Sequence, residues 1–276
     1  MGRPAPQTNC TARATDAASL EEALAGAAPG SLICVTGDMG ATRLEIRNSG
    51  TPQAPIHILG DGRTTVHGIT VTANDVIVEG VNAVNADAPG ISLTGNDITV
   101  INDSSISPRG GDGDALRFWG NNIKILHNTM RDTRNLNGAH ADCMQTFATD
   151  SEHVASQHVL IDNNRCEQID NTCLIVEGPN SSAGDGSGVG ETSDITFSNN
   201  YCDAHASEAV FMDDVQNVTL TGNDIVGRQS HAFAFQNQVV NAHVGNNTIG
   251  PDIRYEVGID DSSMQGYQGP PPGGAP

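Results

Sequence analysis

Lysine is almost missing from this chain. Lys124 is the only one among 276 residues, and 13 Lys+Arg stand against 33 Asp+Glu, a formal charge of −20. A nucleic-acid groove works by concentrating Lys and Arg along phosphates, so this composition excludes nucleic acid as a partner. An anionic membrane surface is excluded on the same ground. Aromatic residues make up 4% of the chain, too few for a large aromatic-centred core. No apolar run approaches the roughly 20 residues that cross a bilayer. No CxxC occurs, so a zinc cluster is not expected. The opening MGRPAPQTNC has no apolar signal core and reads as a mature or trimmed form, with Met1-Gly2 a cloning remnant. Against these absences stand 31 glycines, abundant asparagine and 37% hydrophobic residues, and the periodic placing of the latter argues against disorder.

That periodicity is a repeat. The phrase "polar, apolar, x, apolar, x, x, Asn" recurs as NDVIVEGVN, NDITVINDS, NNIKILHNT, QHVLIDNNR, SDITFSNNY, QNVTLTGND and NAHVGNNT. Anchored on Asp75, Asp97, Asn122, His158, Asp194, Asn217 and Asn241, the steps are 22, 25, 36, 36, 23 and 24 residues. Each phrase predicts a short period-two strand followed by an Asn turn, since Asn tolerates left-handed backbone angles and can stack on the Asn of the next turn. A second strand follows each phrase: GISL, DALRFW, DCMQTF, TCLIVEG, EAVFMDD, HAFAFQN and YEVGIDD. Pattern matching places Leu116, Met144, Leu174, Val210, Phe233 and Val257 in one inward column. Phe118, Thr146, Val176, Met212, Phe235 and Ile259 form the next. A repeat of this length with few helical signals predicts a coil of parallel strands about 4.8 Å apart, the steps of 36 being the same coil with insertions.

Repeats such as ITFSNN and VTLTGN, over residues 54–261, resemble the pectate-lyase-like superfamily. The resemblance implies an all-β, single-stranded right-handed parallel β-helix with an N-terminal capping helix. Residues 1–53 are then the cap and first strand, with a helix at about 16–28, and residues 262–276 a Gly/Pro-rich tail, extended or mobile. In TDAASLEEALAGAAPG, Thr15 or Asp16 can cap the helix, Leu20, Ala23, Leu24 and Ala27 form its apolar stripe, and Gly30 ends it. The six cysteines suit three disulfides and a secreted protein, the alternative being six buried thiols. Cys10–Cys34 would staple the cap to SLICVT. Stacked register predicts Cys143–Cys173 and Cys166–Cys202.

If the inward columns are right, Arg117, Gln145, Ile175, Phe211, Ala234 and Gly258 form one outward column. Trp119, Phe147, Glu177, Asp213, Gln236 and Asp260 form the next, with Asp214 and Asp261 at the strand ends. A polymer can lie along such a face, with Gln145, Trp119, Phe147, Glu177, Phe211, Gln236 and Asp260 as its contacts. A merely solvated polar face is the alternative. In GAHADCMQTF, His140 and Asp142 stand beside an insertion and can pair as base and orienting carboxylate, or can satisfy a turn. The phrase resembles an H-x-D-x-x-Q pattern of bacterial β-helix proteins.

Three function classes remain open. The superfamily resemblance favours an extracellular polysaccharide lyase acting on a uronic-acid polymer by β-elimination, with His140, Asp142 and Arg117 catalytic. Glu177, Asp213 and Asp214 would hold Ca²⁺, with Asp142 a further oxygen ligand. The face departs from that family in having no lysine and one arginine. Adjacent Asp213 and Asp214 somewhat resemble the aspartates of polygalacturonases, implying paired-carboxylate hydrolysis, although the GHG and RIK motifs are absent. The third class is a non-catalytic carbohydrate-binding or tailspike-like protein. The insertion at residues 178–194 is a lid or a loop. The oligomeric state is open, a monomer or an oligomer of unknown order.

Overall fold

Residues 9–184, 186 and 191–276 are described in the structure, a computed structural model. The cloning-remnant reading of Met1-Gly2 and the centre of the 178–194 insertion lie outside those residues.

Apolar residues alternating along short strands can be buried only if each strand pairs sideways with the next turn of the chain. The result is a three-faced coil. Its first face is a nine-stranded parallel sheet running from Leu44–Ile46 to Tyr255–Ile259. The column Leu116, Met144, Leu174, Val210, Phe233 and Val257 is in unbroken register and buried. The next column holds from Thr146 to Ile259, but the pairing of Leu116–Trp119 with Met144–Phe147 stops after Arg117 and Gln145. That break opens the coil where the site described below lies.

The other two faces belong to one forked sheet of sixteen strands. The repeated phrase builds one arm, from Ile98–Ile101 through Asn121–Leu126 and Gln157–Asp162 to Val240–Gly245. A second arm runs from Ser104–Ile106 through Thr129–Arg131 and Arg165–Ile169 to Thr248–Ile249. The long strand Val76–Val84 pairs with both arms and joins them. The sequence reading gave two strands per turn and missed this third one. Its strands offer one or two inward side chains each, such as Met130, Cys166 and Ile225, too few to show a period.

The Asn turn between the two arms explains the doublets NN, HN, ND and GN. The first member takes the left-handed conformation, φ 58° at Asn102, 55° at His127, 58° at Asn163 and 55° at Asn199, with Gly222 at 69° where no side chain is carried. The second member turns inward and joins a ladder. The backbone N–H groups of Asp103, Asn128, Asn164, Asn200 and Asn223 each donate at 2.8–2.9 Å to the side-chain oxygen of the next member, ending at Asn247. The amides of Asn128, Asn164, Asn200 and Asn223 also donate to the carbonyls of Val100, Ile125, Ile161 and Phe197. Each amide thereby satisfies backbone groups that a sharp turn would leave buried and unpaired. The anchors Asp75 to Asn241 mark a second left-handed position, φ 52–57°, at the entry to the repeated strand.

Both ends are closed. The cap helix is Ala17–Ala25, with Asp16 and Ser19 forming a reciprocal capping box and Gly26, not Gly30, at its end. Leu20 is buried and Ala23, Leu24 and Ala27 pack partly against the core. The coil begins earlier than residue 54, since Leu32–Val35 already pairs with Ile56–Val66. The tail is extended, and it is held in place. Val244 donates to the Gln268 carbonyl and Gln268 to that of Ala242, while Gly273 donates to Val257 and Ile259 to Gly274. A final part-turn thus covers two exposed strand edges.

Cys10–Cys34 forms as expected, with Cα atoms 5.7 Å apart. The other two bridges correct the expectation: they join Cys143 to Cys166 and Cys173 to Cys202. The register itself holds, because Cys166 lies beside Cys202 and the residues after Cys143 and Cys173 are paired. Side chains stacked in a parallel ladder point the same way, a full strand spacing of about 4.8 Å apart, whereas a disulfide needs Cβ atoms at about 3.5–4.5 Å. Bridging across the core, from the first face to the second arm, meets that requirement.

Candidate functional site

The two steps of 36 residues place extra chain beside the first face, and the polar side chains of the predicted columns fall into two groups there. In the first group, Arg117 lies at the break in the ladder, its side chain 20% exposed. Its Nε donates to Asp114 at 2.5 Å, its Nη2 lies 3.3 Å from Asp112, and its guanidinium is 5.4 Å from the Phe147 ring centre.

Trp119 is not the exposed stacking surface that alternation predicts. It is 5% exposed, its indole N–H donates to the Phe147 carbonyl at 2.9 Å, and its ring meets Phe147 at 5.2 Å and His153 at 4.7 Å. The cause is the segment 148–156, which folds back over the tryptophan. That segment carries what the sequence reading missed. Asp150 accepts from the backbone N–H groups of Glu152 and His153 and faces His153 Nδ1 at 3.0 Å. The His153 hydrogen bonds hold the Asp150 carboxyl down at about 2. With Nδ1–H committed to a carboxylate, Nε2 carries the free lone pair. Arg117, Trp119 and His153 line one cleft of 630 Å³, together with Ser92, Thr94 and Asn96. The signal was present as D-x-x-H in TDSEHV, within an insertion whose length the repeat had already revealed.

His140 and Asp142 do not form the expected pair. His140 is exposed and its backbone N–H donates to Asp112. Asp142 is buried and accepts from Asn171 Nδ2 and from the backbone and hydroxyl of Thr172, while its own N–H donates to Asp114. Asp114, Asp142 and Thr172 thus form a second, shorter ladder, and Asp142 is spent on it. Burial, then the neighbouring Asp114, pushes the Asp142 carboxyl up to about 8. Burial also raises Asp114, with Arg117 pulling the other way.

The second group lies toward the C-terminal end of the face. Phe147, Glu177, Asp213 and Gln236 follow one another in register, as do Gln145, Ile175, Phe211 and Ala234. Glu177 is half-buried, and burial followed by repulsion from Asp213 raises its carboxyl while a Gln145 hydrogen bond opposes the rise. Asp213 accepts from Gln236 Nε2 at 2.7 Å and Asn237 Nδ2 at 2.9 Å. Asp214 accepts from the Asn180 N–H, and Asp260 from the Asn237 N–H. These carboxylates face N–H donors, which is the wrong surrounding for a hard cation. Among the described residues no three His, Cys, Asp or Glu side chains converge in a way that could hold a metal. Glu177, Asp213 and Asp214 therefore do not fit the expected Ca²⁺ set.

A larger hollow of 720 Å³ lies beside the cap helix. Of the two arginines that line it, half-buried Arg43 is occupied by Thr70 and the carbonyls of Asp87 and Pro89, and Arg47 is paired with Glu45.

No protein-family model matches the chain, and no curated protein matches it significantly. Solved structures do. The PL6 family polysaccharide lyase Pedsa3628 from Pseudopedobacter saltans aligns with a TM-score of 0.54 and 14% identity, over 87% of this chain and 65% of that one. An alginate lyase from Paenibacillus sp. str. FPU-7 aligns with a TM-score of 0.49 and 14% identity, over 91% of this chain and all of that one. The A-module of the Azotobacter vinelandii mannuronan C-5 epimerase AlgE4 aligns with a TM-score of 0.31 and 11% identity, over 87% of this chain and 92% of that one. At such identities the likeness is one of fold, and with the stacked parallel sheets it makes this chain a right-handed parallel β-helix.

Proposed function

We propose that the protein is a secreted polysaccharide lyase that cleaves a uronic-acid-containing polymer by β-elimination. The observation that carries this reading is the meeting of Arg117 and the Asp150-paired His153 in one open cleft on the first face. Elimination requires a base for the proton on the carbon bearing the carboxylate, and a positive charge to stabilise the enolate that develops as it leaves. His153 Nε2 is the base. Arg117 cannot serve, since a guanidinium stays protonated and this one is already paired with two aspartates. It is the charge that meets the sugar carboxylate. The C–H bond breaks, its proton passing to His153 Nε2 and its electron pair forming the new ring double bond, while the bond to the glycosidic oxygen breaks and that oxygen takes up a proton from water. Trp119 and Phe147 pack against the imidazole and hold it in place. Three disulfides support secretion, and among the described residues no helix is long and apolar enough to cross a membrane.

A panel of alginate, polygalacturonate and neutral polysaccharides tests the reading. New ultraviolet absorbance from the unsaturated uronate is expected, and no absorbance on any uronate polymer overturns it. Glycoside hydrolysis is the second reading, favoured by the raised Glu177 carboxyl beside Asp213. It predicts reducing ends without that absorbance.

A further inference from the structure

The outward column ends in two small residues, Ala234 and Gly258. The His231 ring fills the space beside Gly258, where a Cβ would lie 2.8 Å from it. His231 is 7% exposed, and neither ring nitrogen has a hydrogen-bond partner. A buried polar group left unpaired is destabilising, so an imidazole with two such atoms marks a place where a polar partner belongs. The surroundings say which partner. His231 stacks on Tyr255, with ring centres 5.8 Å apart, and the Arg254 guanidinium lies 5.0 Å from the Tyr255 ring. These three line a 330 Å³ pocket with Ser230, Glu208 and the tail. An aromatic ring, a guanidinium for the carboxylate, an imidazole, and the Ser230 hydroxyl and Glu208 carboxylate for sugar hydroxyls match a pyranose that carries a carboxylate.

Position adds an independent argument. From the Arg117 strand to the His231 strand the register runs through Met144–Phe147, Leu174–Glu177 and Glu208–Asp213. Four strand spacings of about 4.8 Å put the two places about 19 Å apart along the coil axis, with His231 three residues before Ala234, the residue in register with Arg117. One pyranose unit along a polysaccharide covers a length comparable to one strand spacing, so a chain seated in the cleft reaches this pocket a few sugars away.

We infer that the His231–Arg254–Tyr255 pocket is a second carbohydrate site, which takes a uronate of the same polymer that the cleft holds. This rests on the lyase reading. The test is calorimetric titration of the whole protein with oligomannuronates and oligogalacturonates of increasing length. The wild-type protein should bind hexasaccharides about tenfold more tightly than trisaccharides, a 1.4 kcal/mol gain. Arg254→Ala, at an exposed side chain, and His231→Phe should each erase that ratio. A wild-type ratio near one, or a ratio that survives in both variants, overturns the second site. If polyuronate is still cleaved in that case, the lyase reading stands and only this pocket fails. If no uronate is bound or cleaved, both fall.

Discussion

The corner between the two arms of the forked sheet and the cleft on the first face are built from the same repeat and serve opposite ends. Along the corner every turn repeats one solution, a left-handed residue followed by an inward amide. The amides of Asn128, Asn164, Asn200 and Asn223 are each about 1% exposed and bonded on both sides. At the cleft the repeat is broken: pairing stops after Arg117 and Gln145, extra chain folds over Trp119, and a half-exposed carboxylate holds a histidine. Regularity stacks hydrogen bonds and, Asp103 apart, leaves no amide over, so it stabilises and leaves little to react. Chemistry appears where the stacking is interrupted.

Four measurements can break or sharpen that contrast. The largest effect is expected at the cleft. His153→Ala should lower turnover by about 10²–10⁴-fold, the usual contribution of a general base, with the melting curve unchanged. A large loss of stability with little loss of turnover would move His153 to the structural side. Next comes the cross-core bridge: replacing Cys143 and Cys166 together by Ser should cost about 3 kcal/mol in denaturant unfolding, as for a closed loop of this length. If Cys143 and Cys173 are the pair found by non-reducing peptide mapping, the placing of the first face against the second arm is wrong. Asn164→Ala, in the middle of the ladder, should cost about 2 kcal/mol by leaving buried partners unpaired, and should spare the cleft.

The smallest effect concerns the ladder's first member, the one aspartate in a run of asparagines. Asp103 accepts from the Val81 N–H through one oxygen, the other has no partner, and burial pushes its carboxyl up to about 8. Between about 4, where the unfolded chain releases this proton, and about 8, the folded protein holds the proton and the unfolded chain does not. Stability should therefore fall as pH rises through that window and level off above it. Asp103→Asn supplies the missing donor permanently, so its denaturation midpoint should lose this part of the pH dependence and lie above wild type at pH 8. Identical pH profiles for the two proteins would show that Asp103 is ionised in the folded state.

The legible part of the fold followed from alternation. Leu116 and its column could be aligned by eye because each inward residue must be apolar and each turn must return to the same place. The third strand of each turn stayed hidden because Thr129–Arg131 or Asp224–Val226 contains too few residues to show a period. At the site, alternation correctly placed Arg117, Gln145 and Glu177 on one face. It failed for Trp119, because a residue's parity says which side of its strand it occupies and nothing of what the chain lays over it afterwards. His140 and Asp142 are near in sequence yet serve different neighbours, Asp112 for one and Thr172 for the other.

By itself the sequence determined the coil, its step and the identity of the residues that face inward, because period and turn chemistry are local properties of the chain. It also favoured pairing of the six cysteines over six buried thiols, and three disulfides form. Only the tertiary structure decided which cysteines meet, since that depends on the direction of each Cβ across the core, a property of three-dimensional closure. It alone decided that His153 shares a cleft with Arg117, because that meeting depends on how an insertion without a repeat of its own settles on the surface beside it.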